Sequence, residues 1–192
     1  MTSPALEEEI LQVTEVLLTA SPEPLTQGRF NQSLKRDDVS LDEVVAALTR
    51  RFEDQQRPVE IVAVAGGYQL VTRAEYEPYL IRLFHRTGRL GLTRAALETM
   101  AVVAYRQPVT RSGIEQVRGV NSDGVLRSLL EKELVTIKGR DEGVGRPLLY
   151  GTTQGFLQAF GLRTLGDMPK LKEISEIMGE EEAPTPVSHA AE

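Results

Sequence analysis

Two stretches of this chain, EPLTQGRFNQ at 23–32 and QPVTRSGIEQ at 107–116, are versions of one another. Pro24, Thr26 and Gln32 match Pro108, Thr110 and Gln116, while Leu25 matches Val109 and Phe30 matches Ile114. The apolar residues just before them match as well, Val16, Leu17 and Leu18 against Met100, Ala101 and Val102. A second correspondence follows. Val44, Ala47, Leu48 and Phe52 have the spacing of Leu126, Leu129, Leu130 and Leu134. That spacing draws one apolar stripe along a helix. After each stripe comes a strand-like pair around glycines, VEIVAVAGGYQLVT (59–72) and LVTIKGRDEGVGRPLLYGTT (134–153). In the first pair, Gly66-Gly67 occupies the place a tight hairpin turn favours.

Each half therefore reads helix, helix, helix, hairpin. The first helices are apolar, Leu6 to Thr19 and Thr93 to Ala104. The second helix of each half starts at Pro-x-Thr, where the proline blocks continuation of the preceding helix and the threonine caps the next. The third starts at Ser40-Leu-Asp-Glu43, which fits a capping box, and at Asn121, with Asp123 in the first turn where the helix dipole favours an acid. Three helices and a β-hairpin make a winged helix. The expected fold class is α+β, mainly α, with two tandem winged-helix domains. The expected boundaries are 1–85, 86–164 and a C-terminal arm and tail, 165–192, the first break falling at the glycines of RTGRLGL (86–92). Domains this small bury only about 60% of their unfolded surface, so the pair gains by docking on each other or on another copy. Leu162, Leu165, Met168, Leu171, Ile174 and Ile177 recur every three residues, as in an arm that docks on a partner or on its own second domain. GEEEAPTPVSHAAE (179–192) has the composition of a disordered end.

The 192 residues carry a net charge of −6, unevenly. Residues 1–85 hold 8 Lys/Arg against 14 Asp/Glu, residues 86–164 hold 12 against 7, and residues 165–192 hold 2 against 7. Either the segments face different partners or this is ordinary scatter of solvated charge. With no cysteine, disulfides, cysteine zinc sites and thiol nucleophiles are excluded. The apolar runs are too short to span a membrane, and the acidic start MTSPALEEEILQ does not read as a leader. We expect a cytoplasmic protein without membrane contact.

No catalytic constellation, metal set or cofactor motif is present: HExxH and GxSxG are absent, and the wing glycines lack the GK[ST] of a phosphate loop. His85 and His189 read as incidental. A winged helix most often binds DNA through the start of its third helix. Here those starts carry Asp42, Glu43 and Asp123, which repel phosphate. Only the second wing is basic, with Lys138, Arg140 and Arg146. A dimeric DNA-binding transcriptional regulator remains the alternative reading. Loop residues Arg118 and Arg146 have no local structural reason, and arginine suits interface cores.

The stretches LETMAVVAYRQPVTRSGIEQVRGVNSDGVLRSLLEKELVTIKGR (97–140) and GRPLLYGTTQGFLQAFGL (145–162) resemble the segregation and condensation protein B family. The resemblance covers the whole second domain and, more weakly, the layout of the first. It implies a non-catalytic, cofactor-free subunit of a bacterial condensin-like complex, acting in chromosome condensation and partition and associated with the nucleoid. It implies a homodimer, formed largely through the first domain, that binds the kleisin subunit (ScpA). Through the kleisin it would reach the SMC ATPase, touching DNA only indirectly or weakly. Candidate kleisin contacts are Tyr105, Arg106, Arg118, Asn121, Asp123 and Arg146. Candidate dimer contacts are Leu11, Val16, Leu17 and Leu18 on the first helix.

Overall fold

The computed structural model describes residues 4–84 and 91–170, with side chains from Glu8 onward. The first unit runs α1 (Pro4–Ala20), α2 (Gln27–Leu34), α3 (Leu41–Asp54), β1 (Val59–Val64), β2 (Gly67–Thr72), a 3-10 turn (Ala74–Tyr76) and α4 (Glu77–Phe84). The second runs α5 (Arg94–Arg106), β3 (Val109–Thr110), α6 (Arg111–Arg118), α7 (Asp123–Glu131), β4 (Val135–Arg140), β5 (Leu148–Thr152) and α8 (Gln154–Phe160), then a 3-10 turn (Leu165–Asp167). Residues 86–90 of the expected break at 86–92, both histidines and the tail from 171 lie outside the described residues.

Repeated chemistry starts the repeated helices. The hydroxyls of Thr26 and Thr110 accept from the amides of Arg29 and Gly113 and cap α2 and α6. Ser40 caps α3 in the same way, accepting from Glu43 N–H. The start of α7 differs from the expectation. Ser122 holds the cap position and makes no cap bond, while Asn121 Oδ1 accepts from the Asp123 amide. Asn121 thus closes a tight local turn one residue early, and the Ser122 side chain is freed for a bond elsewhere.

The wings show why the hairpin centre moves by one residue. Val64 pairs with Gly67, so the turn pair is Ala65-Gly66, both at positive φ, not Gly66-Gly67. Gly67 serves a different purpose. Leu25 and Tyr68 exchange two main-chain bonds, Leu25 N–H to Tyr68 O at 2.7 Å and the reverse at 3.0 Å. A Cβ on Gly67 would stand 2.7 Å from the Leu25 carbonyl oxygen. The second unit repeats this pairing as a full strand, Val109 against Tyr150, in a sheet of order β3-β5-β4. Leu25 and Val109 are the residues aligned by the internal repeat.

Two hydrophobic clusters result, and the stripes read from the sequence fill them. Phe30, Leu48 and Phe52 are fully buried in the first, and Ile114, Leu126 and Leu129 in the second. The first wing belongs to both. Strand side chains alternate in direction; Val59 and Ile61 pack on the first cluster, whereas Val62, Val64 and Ala65 join the second. The amides of Ala65 and Gly66 donate to the carbonyls of Leu162 and Arg163 at 2.9 and 3.0 Å. The two units therefore dock on one another within the chain, using the first wing as a strut.

Each wing is followed by a helix that the periodicity reading missed. α8 buries Phe156 and Leu157. α4 buries nothing in the described structure.

The α2–α3 loop supplies one acid-sensitive element. Arg36 Nε lies 2.7 Å from Asp38 Oδ1, and this bond holds the Asp38 carboxyl down at about 2. A carboxyl depressed on folding adds stability above its unfolded value, and the gain is lost as pH falls through the folded one. The first unit should therefore lose stability between about pH 4 and pH 2. In Asp38→Asn the pH dependence of urea midpoints over that range should flatten; an unchanged slope would reject the pair as a contributor.

Candidate functional site

The candidate residues of the second unit fall into three places. Arg118, at the C-terminal end of α6, points inward: its side chain is only 7% exposed. Its guanidinium donates to Ser122 Oγ at 3.0 Å and meets Glu98 of α5 at 3.4 Å. Glu115 in turn accepts from the Ser122 amide at 3.1 Å. Arg118 thus has a structural reason: it ties α6 to α5 and to the start of α7. Its Nε is buried with no hydrogen-bond partner among the described residues.

Asn121 and Asp123 sit just outside this knot and are exposed. Asp123 is bonded by Arg111 at 2.9 Å and lies 3.8 Å from Arg127. The bond to Asp123 raises the Arg111 guanidinium above its ordinary value. The acid at the start of α7 is therefore half-neutralised from α6, which softens but does not reverse the repulsion of phosphate.

Tyr105 and Arg106 lie at the other end of α5, seven residues past Glu98, or about 10 Å along the helix. The Tyr105 hydroxyl donates to the Pro169 carbonyl at 2.7 Å, while Arg106 is exposed. Leu162 and Met168 pack against the second cluster. The described part of the arm, to Lys170, thus folds back on its own second unit. Arg146 stands exposed at the tip of the second wing, with Lys138 and Arg140 on the same hairpin.

The four candidate dimer residues on α1 divide unevenly. Leu18 is 3% exposed inside its own core, and Leu11 and Leu17 are partly buried against it. Only Val16, 65% exposed, faces outward. Within the single chain, Leu18, Leu11 and Leu17 are thus committed to the first cluster, and Val16 is the one of the four on the surface. Leu11 also lines a surface groove of about 320 Å³ between α1 and α3, floored by Ile10, Val39 and Ala47.

The start of α3 carries Asp42 and Glu43, both exposed. The Tyr68 hydroxyl donates to Asp42 at 2.8 Å. Burial first, and then this bond, push the Tyr68 phenol above its ordinary value. The helix that would enter a DNA groove is thus acidic, and the wing that would flank it is taken up by the second unit.

A model of the segregation and condensation complex subunit ScpB matches residues 12–171. The chain belongs to that family. It is 47% identical over 160 residues to segregation and condensation protein B of Symbiobacterium thermophilum, covering 83% of this chain and 73% of that one. It is 43% identical to the corresponding protein of Syntrophotalea carbinolica, over 91% of this chain and 88% of the relative. Among solved structures, ScpB from Mycobacterium tuberculosis is 34% identical over 81% of this chain and 97% of its own, with a TM-score of 0.38.

The sequence reading of this ScpB family member overlooked α4. Tyr79, Ile81, Leu83 and Phe84 are 64%, 44%, 68% and 64% exposed on a helix of eight residues. The signal was in the run EYEPYLIRLF (75–84), where Tyr76, Leu80 and Leu83 recur at helical spacing. No group of three or more metal-ligating side chains occurs among the described residues, and no helix among them is long and apolar enough to cross a membrane.

Proposed function

We propose that this chain is a non-catalytic scaffold subunit of a condensin-like SMC–kleisin complex, acting in the cytoplasm at the nucleoid during chromosome condensation and partition. It homodimerises through the first unit, 1–85, and holds the kleisin subunit ScpA with the second, 86–164. The arm and tail are 165–192. The SMC ATPase is reached through the kleisin, and DNA is touched only indirectly or weakly.

The observation that carries this reading is α4. An eight-residue helix is marginal alone in water, and this one leaves four large apolar side chains exposed. Apolar side chains left exposed in this way fit a protein partner, and a closed two-fold places them on both copies. Of the four candidate residues on α1, Val16 is the one exposed enough to join them. For the kleisin, the outward residues Arg106, Asn121, Asp123 and Arg146 are the proposed contacts. Tyr105 and Arg118 act within the chain.

Light-scattering masses of the purified chain, with and without an ScpA fragment, test the proposal. The chain alone should be a dimer, and the fragment should add to it. Leu83→Asp with Phe84→Asp should yield a monomer with an unaltered circular dichroism spectrum. A monomeric parent, or a dimeric variant, would remove α4 from the interface. The regulator reading instead requires salt-sensitive capture of duplex DNA by the chain alone. A specific shift in a mobility assay without partners would favour it.

A further inference from the structure

The two wings have opposite fates. The tip of the first is buried against the second unit, with Val64 3% and Ala65 8% exposed. The second wing projects. Every residue from Ile137 to Arg146 is exposed, and Val144 at the apex is fully so. Its tip is nonetheless closed by its own bonds. The Asp141 amide donates to the Pro147 carbonyl at 2.8 Å, and the Arg146 amide to the Gly143 carbonyl at 2.9 Å. The Arg140 guanidinium donates to the Arg146 carbonyl at 3.1 Å. A hairpin fixed in this way is preorganised to bind.

What it presents is cationic. Lys138 is the extra residue of a β-bulge, between Ile137 paired with Tyr150 and Gly139 paired with Leu149. Its stem lies across Gly151, where a Cβ would stand 2.8 Å from Lys138 Cε. Arg140 and Arg146 stand on the same hairpin. None of the three is ion-paired among the described residues. The paired acids of the second unit, Glu98, Glu115 and Asp123, are engaged at the α5–α6–α7 junction instead. Of the wing's own acids, Asp141 is turned back onto the Glu142 amide, and Glu142 is exposed. At 0.1 M salt the screening length is about 10 Å. The hairpin's own charges, rather than the −6 of the whole chain, therefore set what it attracts at close range.

We propose that the second wing binds duplex DNA directly, through Lys138, Arg140 and Arg146 on the phosphates. A two-stranded ribbon fits the major groove, which is about 12 Å wide. Phosphate contacts position a protein but carry no sequence information, so the binding is weak and sequence-blind. Unlike a regulator, the chain keeps the acidic start of α7 off the bases. This activity goes beyond the scaffold role and does not depend on it.

Fluorescence anisotropy of the full chain with a labelled duplex of arbitrary sequence tests this. In about 50 mM salt the dissociation constant should be on the order of 10⁻⁵ M, and unrelated duplexes should compete equally. Lys138→Gln with Arg140→Gln should weaken binding at least about tenfold and make the slope of log affinity against log salt shallower by about two. The urea midpoint and ScpA capture of that variant should match the parent; Arg146, also a proposed kleisin contact, is left intact in it. Arg127→Gln with Lys132→Gln, on α7 and at its end, should bind duplex much as the parent does. A parent that binds no duplex overturns the proposal and leaves the scaffold reading standing, as does a wing variant that binds undiminished. A preferred sequence, or loss through the α7 variant, would return the contact to the third helix. Loss of ScpA capture by the wing variant would assign the wing to the kleisin and overturn the proposal as well.

Discussion

Arg118→Glu is expected to destabilise the second unit by about 3 kcal/mol, in urea titrations with no partner present. The parent guanidinium is enclosed, bonded to Ser122 and paired with Glu98. Glutamate there would set a carboxylate beside Glu98 and Glu115, and the buried Ser122 would lose its donor. Arg118→Met keeps the alkyl packing and adds no like charge, so it should cost roughly half as much. A drop in ScpA capture by Arg118→Glu would therefore report a loosened α5–α6–α7 junction. Arg146→Glu, at the exposed wing tip, should leave the midpoint within about 0.5 kcal/mol and is the variant that probes a contact. An unshifted midpoint for Arg118→Glu would show that the knot contributes nothing.

Gly67→Val should destabilise the first unit by about 3 kcal/mol or more. Even the first carbon of the new side chain would overlap main-chain atoms, with Leu25 O at 2.7 Å and Leu25 C at 2.9 Å. Main chain cannot swing aside as a flexible side chain can, so the Leu25–Tyr68 pairing must open. Gly66→Ala, one residue earlier, meets nothing within 4 Å but sits at φ +74°. It should cost only about 1–2 kcal/mol, the penalty of the left-handed backbone. Equal midpoints for the two variants would mean that the close approach of Leu25 is not maintained in solution.

Much of this architecture is written locally. Pro24-Leu-Thr26 and Pro108-Val-Thr110 start helices because one residue prevents continuation and the other supplies an acceptor, and both effects act within four residues. The stripe ending at Phe52 announces the buried face of α3 for the same reason, whereas Leu134, at the end of the second stripe, is buried just beyond the end of α7. What escaped was non-local. Whether Leu18 points into its own core or towards a second copy depends on what α3 and β2 place opposite it. That Arg118 lies inside depends on Glu98, twenty residues away. The extra helices escaped for different reasons. α8, at seven residues, is too short to display a period. α4 displays one but has nothing among the described residues packed over it, and such elements are the ones read last from a sequence.

The wing that both clusters share also limits how the molecule can be dissected. Cutting the chain between its halves would strip Val62, Val64 and Ala65 from the second cluster and leave the carbonyls of Leu162 and Arg163 without donors. A fragment starting near residue 91 would present a raw, sticky trough to solvent. The duplicated halves still share a blueprint, but they have ceased to be interchangeable parts.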